Sequence, residues 1–384
     1  MKKILHLTQT DIMSDSRIIK EIDAARNSGY QVTGIGIKCE VNRATSNLIN
    51  PGDIISIALI SKKFVRRPKI LQHFFVFTEF LLRAFYLAVK CKPDIIHCND
   101  TLVLPIGVLV KLFTSARLVY DAHELESNRN GLSRFLGKIT LLIEKAAWYF
   151  VDALVVVSPS IETWYKANVG EKPSAVVLNS PVIEVQTQSV STDYLRDRYG
   201  IEKGRKIFIY VGILGPGRGI DLIVEAFKNK CINSSLVFLG YGPLSDELNE
   251  IADKNSNIYV HDAVEHERVV SVVRTADVGL CLIQNVSLSD YYSLPNKLFE
   301  YCFSGIPVLA SNFPDISAIV NQYRIGVCVD LNLDDVIEGI KRFERDDLAS
   351  DFSVTDLVAL GWEAQASKLI QLYRKVSSDG DNNF

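Results

Sequence analysis

The sequence predicts an α/β protein built from two consecutive Rossmann-like, doubly wound parallel-sheet domains facing a cleft. Three observations carry that expectation. Short apolar runs alternate with amphipathic helical patterns along nearly the whole chain, which is the rhythm of βαβ units. At 384 residues the chain exceeds one comfortable core and suits two domains of ordinary size. A polar stretch without periodicity, Glu184 to Thr192, interrupts the pattern near its middle and reads as a linker.

The first domain is expected over residues 1–183. Ile4 to Leu7 reads as a buried strand, and Arg17 to Asn27 as a helix with Ile18, Ile19, Ile22 and Ala25 on one face. Gly29 ends that helix, and Gln31 to Ile37 is the next strand. Further strands are expected at Asp94–His97, Arg117–Tyr120, Ala153–Val157 and Ala175–Leu178. The second domain, 193–361, repeats the series with strands at Ile207–Val211, Leu236–Leu239, Ile258–Val260, Val278–Ile283 and Val308–Ala310. A last helix, 362–377, carries apolar positions at helical spacing, and the tail from Ser377 to Phe384 reads as disordered.

Composition narrows the class. With 48% hydrophobic and 23% charged residues, the chain belongs with globular proteins and not with disordered ones. Seven cysteines without a CxxC pair, several inside apolar runs, fit buried thiols better than disulfides or a zinc site. The N-terminal residues lack a long apolar region followed by a cleavage site, so a cytoplasmic location is expected. Residues 1–185 hold 23 Lys and Arg against 17 Asp and Glu; the remainder holds 19 against 28. A basic half joined to an acidic half suggests an anionic partner for the first domain, with chance as the plain alternative. No nucleic-acid partner is expected.

One helix pattern, Ile70 to Val89, is apolar apart from Gln72, Glu79 and Arg83, which fall within about 40° of each other at 100° per residue. Lys62, Lys63, Arg66, Arg67 and Lys69 precede it. Such a helix is long enough to span a bilayer, but charges lie mid-segment. Peripheral contact with an anionic membrane surface, on the inner face of the plasma membrane, is the better reading, beside a core helix with a solvated basic lead-in.

Two segments carry chemistry. In Leu294-Pro295-Asn296-Lys297-Leu298-Phe299-Glu300, continuing to Ser311, Pro295 suits a first helical turn and Gly305 a helix end. Lys297 and Glu300 then share a face beside free backbone N–H groups, a good seat for a diphosphate and a ribose. On spacing alone an exposed i,i+3 ion pair is the favoured explanation. In Tyr210 to Asp221 a strand runs into the Gly-rich loop Gly212, Gly215, Gly217, Gly219, where Arg218 can clamp a phosphate with two donors. It fits neither a P-loop nor a dinucleotide fingerprint. Gly240-Tyr241-Gly242-Pro243 is a third loop that lets backbone approach a ligand.

Taken jointly, and in this order, these three segments resemble the retaining glycosyltransferases of family 4, which have the GT-B fold. Asp15-Ser16-Arg17, Asp94-Ile95-Ile96-His97 and Tyr120-Asp121-Ala122-His123-Glu124 are similar to the same family, so the resemblance covers nearly the whole chain. It implies transfer of a hexose-type sugar from a nucleoside-diphosphate donor to a glycan or lipid-linked acceptor with retention, in cell-surface polysaccharide synthesis. It also implies that the last helix crosses back onto the first domain.

By position, the family's phosphate-binding Lys corresponds to Arg218 and its ribose-holding Glu to Glu300. The basic residue usual after Gly212 is Ile213 here. The first Glu of its E-x7-E pattern falls at Tyr292, which puts the sugar's identity in doubt. The family's His near the donor sugar matches His123, against a structural histidine as the alternative. The implied donor-binding set is Gly212, Gly217, Arg218, Gly240, Tyr241, Gly242, Tyr292, Leu294, Lys297 and Glu300. The implied catalytic set is His123, Arg218, Lys297 and Glu300, and the acceptor side takes Asp15, Arg17, Asp100 and His123.

No His/Cys/Asp cluster with metal spacing stands in the sequence, and Asp379-Gly380-Asp381 lies in the tail. No metal or other cofactor is expected, and charge on the leaving diphosphate would fall to Arg218, Lys297 and helix N-termini. Two alternatives stay open: a nucleotide-sugar epimerase on the same fold, and a non-catalytic sugar-nucleotide-binding subunit.

Overall fold

The computed structural model divides into two compact units, Met1–Val177 together with Gln365–Phe384, and Leu178–Ala364. The structure describes residues 1–38, 53–63, 69–182, 190–346, 348 and 352–378. Most of the expected linker, Arg66, Arg67 and Asp379 to Phe384 therefore lie outside the described residues.

The first unit runs β1 (Lys3–Leu7), α1 (Ser16–Asn27), β2 (Gln31–Ile37), β3 (Ile54–Ile57), α2 (Lys69–Cys91), β4 (Ile95–Asn99) and α3 (Leu104–Thr114). It continues with β5 (Arg117–Ala122), α4 (Arg134–Ala147), β6 (Ala153–Val156), α5 (Pro159–Asn168) and β7 (Ser174–Val176). Its strands form one parallel sheet in the order β3-β2-β1-β4-β5-β6-β7. Every residue of β4 and β6 is buried, and β6, Ala-Leu-Val-Val, reads as an unbroken apolar run instead of an alternating one. Asp15 caps α1, its carboxylate accepting from the N–H groups of Arg17 and Ile18.

The second unit opens with α6 (Tyr194–Tyr199), β8 (Ile207–Ile213), α7 (Ile220–Phe227), β9 (Ser235–Tyr241), α8 (Ser245–Lys254), β10 (Ile258–His261) and α9 (His266–Val273). After β11 (Val278–Cys281) come α10 (Leu288–Tyr291), α11 (Asn296–Ser304), β12 (Val308–Ser311), α12 (Pro314–Gln322), β13 (Gly326–Val329), α13 (Leu333–Arg345) and α14 (Val354–Leu360). The parallel sheet order is β10-β9-β8-β11-β12-β13. Phe208, Phe227, Phe238 and Phe343 centre the core on one side of it. The last helix, α15 (Trp362–Ser378), starts in the second unit and ends in the first. It includes Ser377 and Ser378, which the sequence assigns to the tail.

The two sheets each reverse direction once, between β1 and β4 and between β8 and β11. These are the points where ligands of open α/β sheets bind, beyond the strand C-termini. Two strands were not anticipated from the sequence, β3 and β13. Both are four-residue edge strands only partly covered.

The helix expected at 70–89 is α2, and its polar residues are used inside the protein. Glu79 accepts from the N–H groups of Ile60 and Ser61 at 3.0 and 2.8 Å, and Arg83 donates to the Ala58 carbonyl at 2.6 Å. Among the described residues no helix is long and apolar enough to cross a membrane.

Candidate donor-binding site in the second unit

The Gly-rich segment is the hinge of this site. β8 and β9 pair in register to their ends, setting Gly212 opposite Gly240 and Ile213 opposite Tyr241. That pairing leaves no room for side chains. A Cβ on Gly240 would stand 1.9 Å from the Gly212 carbonyl oxygen, and one on Gly242 2.3 Å from that of Leu214. Beyond β8 the chain turns at Gly217 and Gly219, both in the left-handed region (φ +77° and +72°), and enters α7 without a side-chain cap. Arg218 sits half-exposed between those two glycines.

α11 supplies the second half. Pro295 precedes its first turn, again without a side-chain cap, so its first backbone N–H groups are not taken by a capping side chain. Gly305, at φ +75°, ends it in the left-handed conformation expected of a C-terminal glycine. The helix is fastened by Tyr301. Its hydroxyl accepts from the Val211 N–H at 3.1 Å and lies 3.0 Å from the Leu280 carbonyl and 3.2 Å from that of Ile209. β8 and β11 pair only through Phe208 and Ile209, so the phenol fills the gap where the two strands part.

That anchorage carries Lys297 under the loop. Its Nζ lies 3.5 Å from the centre of the Tyr210 ring, and its Cε and Nζ are the atoms nearest a Cβ built on Gly212. Burial pulls the ammonium down to about 7, and the Arg218 charge pushes the same way. An amine held in that state gains most from an incoming anion. Glu300, three residues on, is equally buried. The exposed ion pair that spacing alone allowed is thus replaced by two buried groups, of which Lys297 lies against the Gly-rich loop. Leu294 is buried, Tyr241 is exposed, and Tyr292 closes the short helix α10 whose cap is Ser287. Ile213 is exposed at the loop's edge, where the family pattern has a basic residue.

In the first unit His123 follows β5. Its Nε2 lies 3.6 Å from Asp121 Oδ2 and its Nδ1 3.7 Å from Asp100 Oδ1. Burial opposes its charge, yet the Asp121 carboxylate outweighs burial and raises it to about 10, so the imidazole is cationic. Asp100 holds a positive φ of 70°, a costly conformation for a residue with a Cβ. Arg17, expected on the acceptor side, is buried: it donates to both Asp121 oxygens and the Val177 carbonyl, and its Nε pairs with Glu21 at 3.0 Å. It supports Asp121 from beneath. Asp15 spends its carboxylate on capping α1.

Sequence reasoning did not foresee the rest of that buried set. His6 and His97 stack with ring centres 4.5 Å apart, His97 faces Asp121 at 3.2 Å, and Tyr373 of α15 bonds its other nitrogen at 2.7 Å. The i,i+4 spacing of Arg17 and Glu21 was the one local signal. His6, Glu21 and His97 also gather ligand atoms within 4.8 Å, which no sequence spacing announced. The Arg17 guanidinium pairs with Glu21 there, and burial lowers the pKa of both imidazoles.

Comparison with known proteins gives the family and the fold. The family described as Glycosyl transferases group 1 matches residues 191–353, and Glycosyltransferase Family 4 matches residues 23–185. A chitobiosyldiphosphodolichol beta-mannosyltransferase of Candida albicans is 25% identical over 271 residues, 64% of this chain and 59% of the relative. Its counterpart from Kluyveromyces lactis is 26% identical over 57% of this chain and 56% of its own length. The match thus spans under three-fifths of these curated relatives. Among solved structures, sucrose-phosphate synthase from Thermosynechococcus elongatus superposes with a TM-score of 0.77 at 18% identity, covering 99% of this chain and all of that one. Anabaena HepE in complex with UDP and glucose does so at 0.70 and 14%, with the same coverage.

Proposed function

We propose that this chain, which belongs to the GT-B glycosyltransferases, moves a hexose-type sugar from a nucleoside diphosphate to a glycan or lipid-linked acceptor with retention of anomeric configuration. The observation that carries the reading is the placement of Lys297. A buried ammonium in the first turn of α11, depressed by burial and by Arg218, lies against Gly212. We assign Arg218, Lys297 and the starts of α7 and α11 to the diphosphate, where they would stabilise charge as the sugar leaves. Glu300 is assigned to the ribose hydroxyls. Gly217, Gly240 and Gly242 keep the backbone close, with Tyr241, Tyr292 and Leu294 around the base and sugar. In the first unit we give His123 a contact with sugar hydroxyls, with Asp100 and Asp121 holding it cationic. No metal and no covalent nucleophile is invoked, and a cytoplasmic site of action goes with this reading.

A lipid-linked acceptor draws support from the dolichol-linked substrate in the yeast relatives' name. Retention is settled by the anomer of the product, read by NMR against the donor's. Arg218→Ala and Glu300→Ala should each lower kcat/KM at least tenfold, which is about 1.4 kcal/mol of transition-state binding. Wild-type rates in both variants would falsify the assignment. Ile213 and Tyr292 replace two of the family's motif residues and favour one competing reading, a subunit that binds sugar nucleotide without turnover. Donor binding with no product across an acceptor panel would establish that instead.

A further inference from the structure

Three helices of the first unit, α2, α3 and α4, expose hydrocarbon. α2 packs against α3 and α3 against α4, and Phe85 and Phe113 meet edge to face at 5.5 Å across the first of these seams. Each helix turns one stripe inward: Phe80, Ala84 and Ala88 in α2, Ile106 and Val110 in α3, Gly137 and Ala147 in α4. The outward stripes are apolar too. Leu82 and Tyr86 lie roughly 160° around α2 from its buried stripe at 100° per residue. Leu112 on α3, and Phe135 and Leu142 on α4, also point away from their helices' buried stripes, and Phe113, in line with Ile106 and Val110, is exposed in the last turn of α3. These six side chains are each 60–71% exposed. Solvated helices carry Lys and Glu at such positions, and an apolar face of this extent marks an interaction site.

Charge says what covers it. α2, α3 and α4 together hold seven Lys and Arg against two Glu. Glu79 stands one turn from Leu82 on the outward side of α2, but neither acid offers a free carboxylate there. Glu144 is buried, accepting from the hydroxyls of Tyr120 and Tyr165, and the Glu79 oxygens are taken by Ile60, Ser61 and Arg83. Arg134, Lys138 and Lys145 stand exposed among the α4 hydrocarbons. A second copy of the face would bring these cations against their own kind. A phosphate-bearing lipid surface satisfies both the hydrocarbon and the cations.

We propose that the outer face of α2, α3 and α4 docks this protein on anionic bilayers, with Leu82, Phe113, Phe135 and Leu142 entering the headgroup–acyl boundary and Arg134 and Lys138 at the phosphate level. The face lies within the first unit and does not depend on the donor-site reading. The chain lies on the membrane instead of crossing it.

The test is co-sedimentation of the full chain with vesicles of phosphatidylcholine alone or mixed equally with phosphatidylglycerol. Binding is expected to the mixed vesicles, to weaken with salt, and to fall at least tenfold in the Phe113→Ser, Phe135→Ser, Leu142→Ser triple variant. Arg134→Glu with Lys138→Glu should abolish the preference for anionic vesicles, and it carries the test alone if circular dichroism shows the triple variant unfolded. Val358→Ser, an exposed apolar position of the second unit, should bind like wild type. The proposal is overturned if mixed vesicles fail to sediment the wild type, or if a folded triple variant binds undiminished. A dimer in light scattering that the triple variant dissociates, with vesicle binding unaltered, would reassign the face to self-association and overturn it equally.

Discussion

Lys297 turns the chemistry of one amine into a property that binding can report. Buried over the Tyr210 ring beside Arg218, it is poised at about 7 instead of the usual lysine range. A diphosphate brought against it favours the charged form and raises that value. Below pH 7 the ammonium is already present, and binding moves no proton. Above pH 7 the amine is neutral in the free protein, so each binding event must take up a proton, and affinity falls as pH rises by at most about tenfold per unit. Titration calorimetry with a nucleotide sugar between pH 6 and 9, in two buffers of different ionisation enthalpy, should show uptake approaching one proton at the alkaline end. Lys297→Met should bind more weakly and lose the dependence. A flat profile in the wild type would show that Lys297 does not meet the phosphates.

At the scale of the element, α11 acts as a clamp because of where Tyr301 ends. β8 and β11 diverge after two paired residues, and divergence would leave the Val211 N–H and the Leu280 carbonyl without partners in a dry interior. Tyr301→Phe removes the oxygen that serves both and keeps the ring that packs on Gly279. It should cost about 1–3 kcal/mol of stability, the range for stranding a buried polar group. Because the same helix seats Lys297 and Glu300, donor affinity should fall as well. Thermal denaturation and donor binding measured on the one variant check both. An unchanged midpoint would mean that water replaces the phenol.

This clamp also shows what the sequence could disclose. Period and punctuation made α11 legible, through Pro295 before it and Gly305 after it, and put Lys297 and Glu300 on one face. They could not tell whether that face met water or loop. The answer depends on strand divergence and on Gly212 opposite Gly240, which are pairings between segments far apart in sequence. His6, Glu21, His97 and Tyr373 went unread for the same reason, since four separate elements bring them together. β3 and β13 were missed because each is only four residues long at a sheet edge, and the outward hydrocarbon of α3 and α4 was indistinguishable from core until their inner faces were known.

Across the whole molecule the two units have their own sheets and their own buried thiols, Cys98 in the first and Cys281 and Cys302 in the second. Those thiols report local stability, because burial raises their pKa and hides them from reagent until the unit opens. Every residue assigned to the diphosphate and ribose belongs to the second unit, so donor binding should stabilise that unit first. At a nucleotide-sugar concentration 100 times its Kd the gain is about 2.7 kcal/mol. Labelling of Cys281 and Cys302, followed by mass spectrometry, should therefore slow by about a hundredfold while labelling of Cys98 keeps its rate. Arg218→Ala should show far less protection at the same ligand concentration. Equal slowing at Cys98 would mean that the units open together and that the molecule unfolds as one body, α15 joining them; slowing at Cys98 alone would move the donor to the first unit and undo the site assignment.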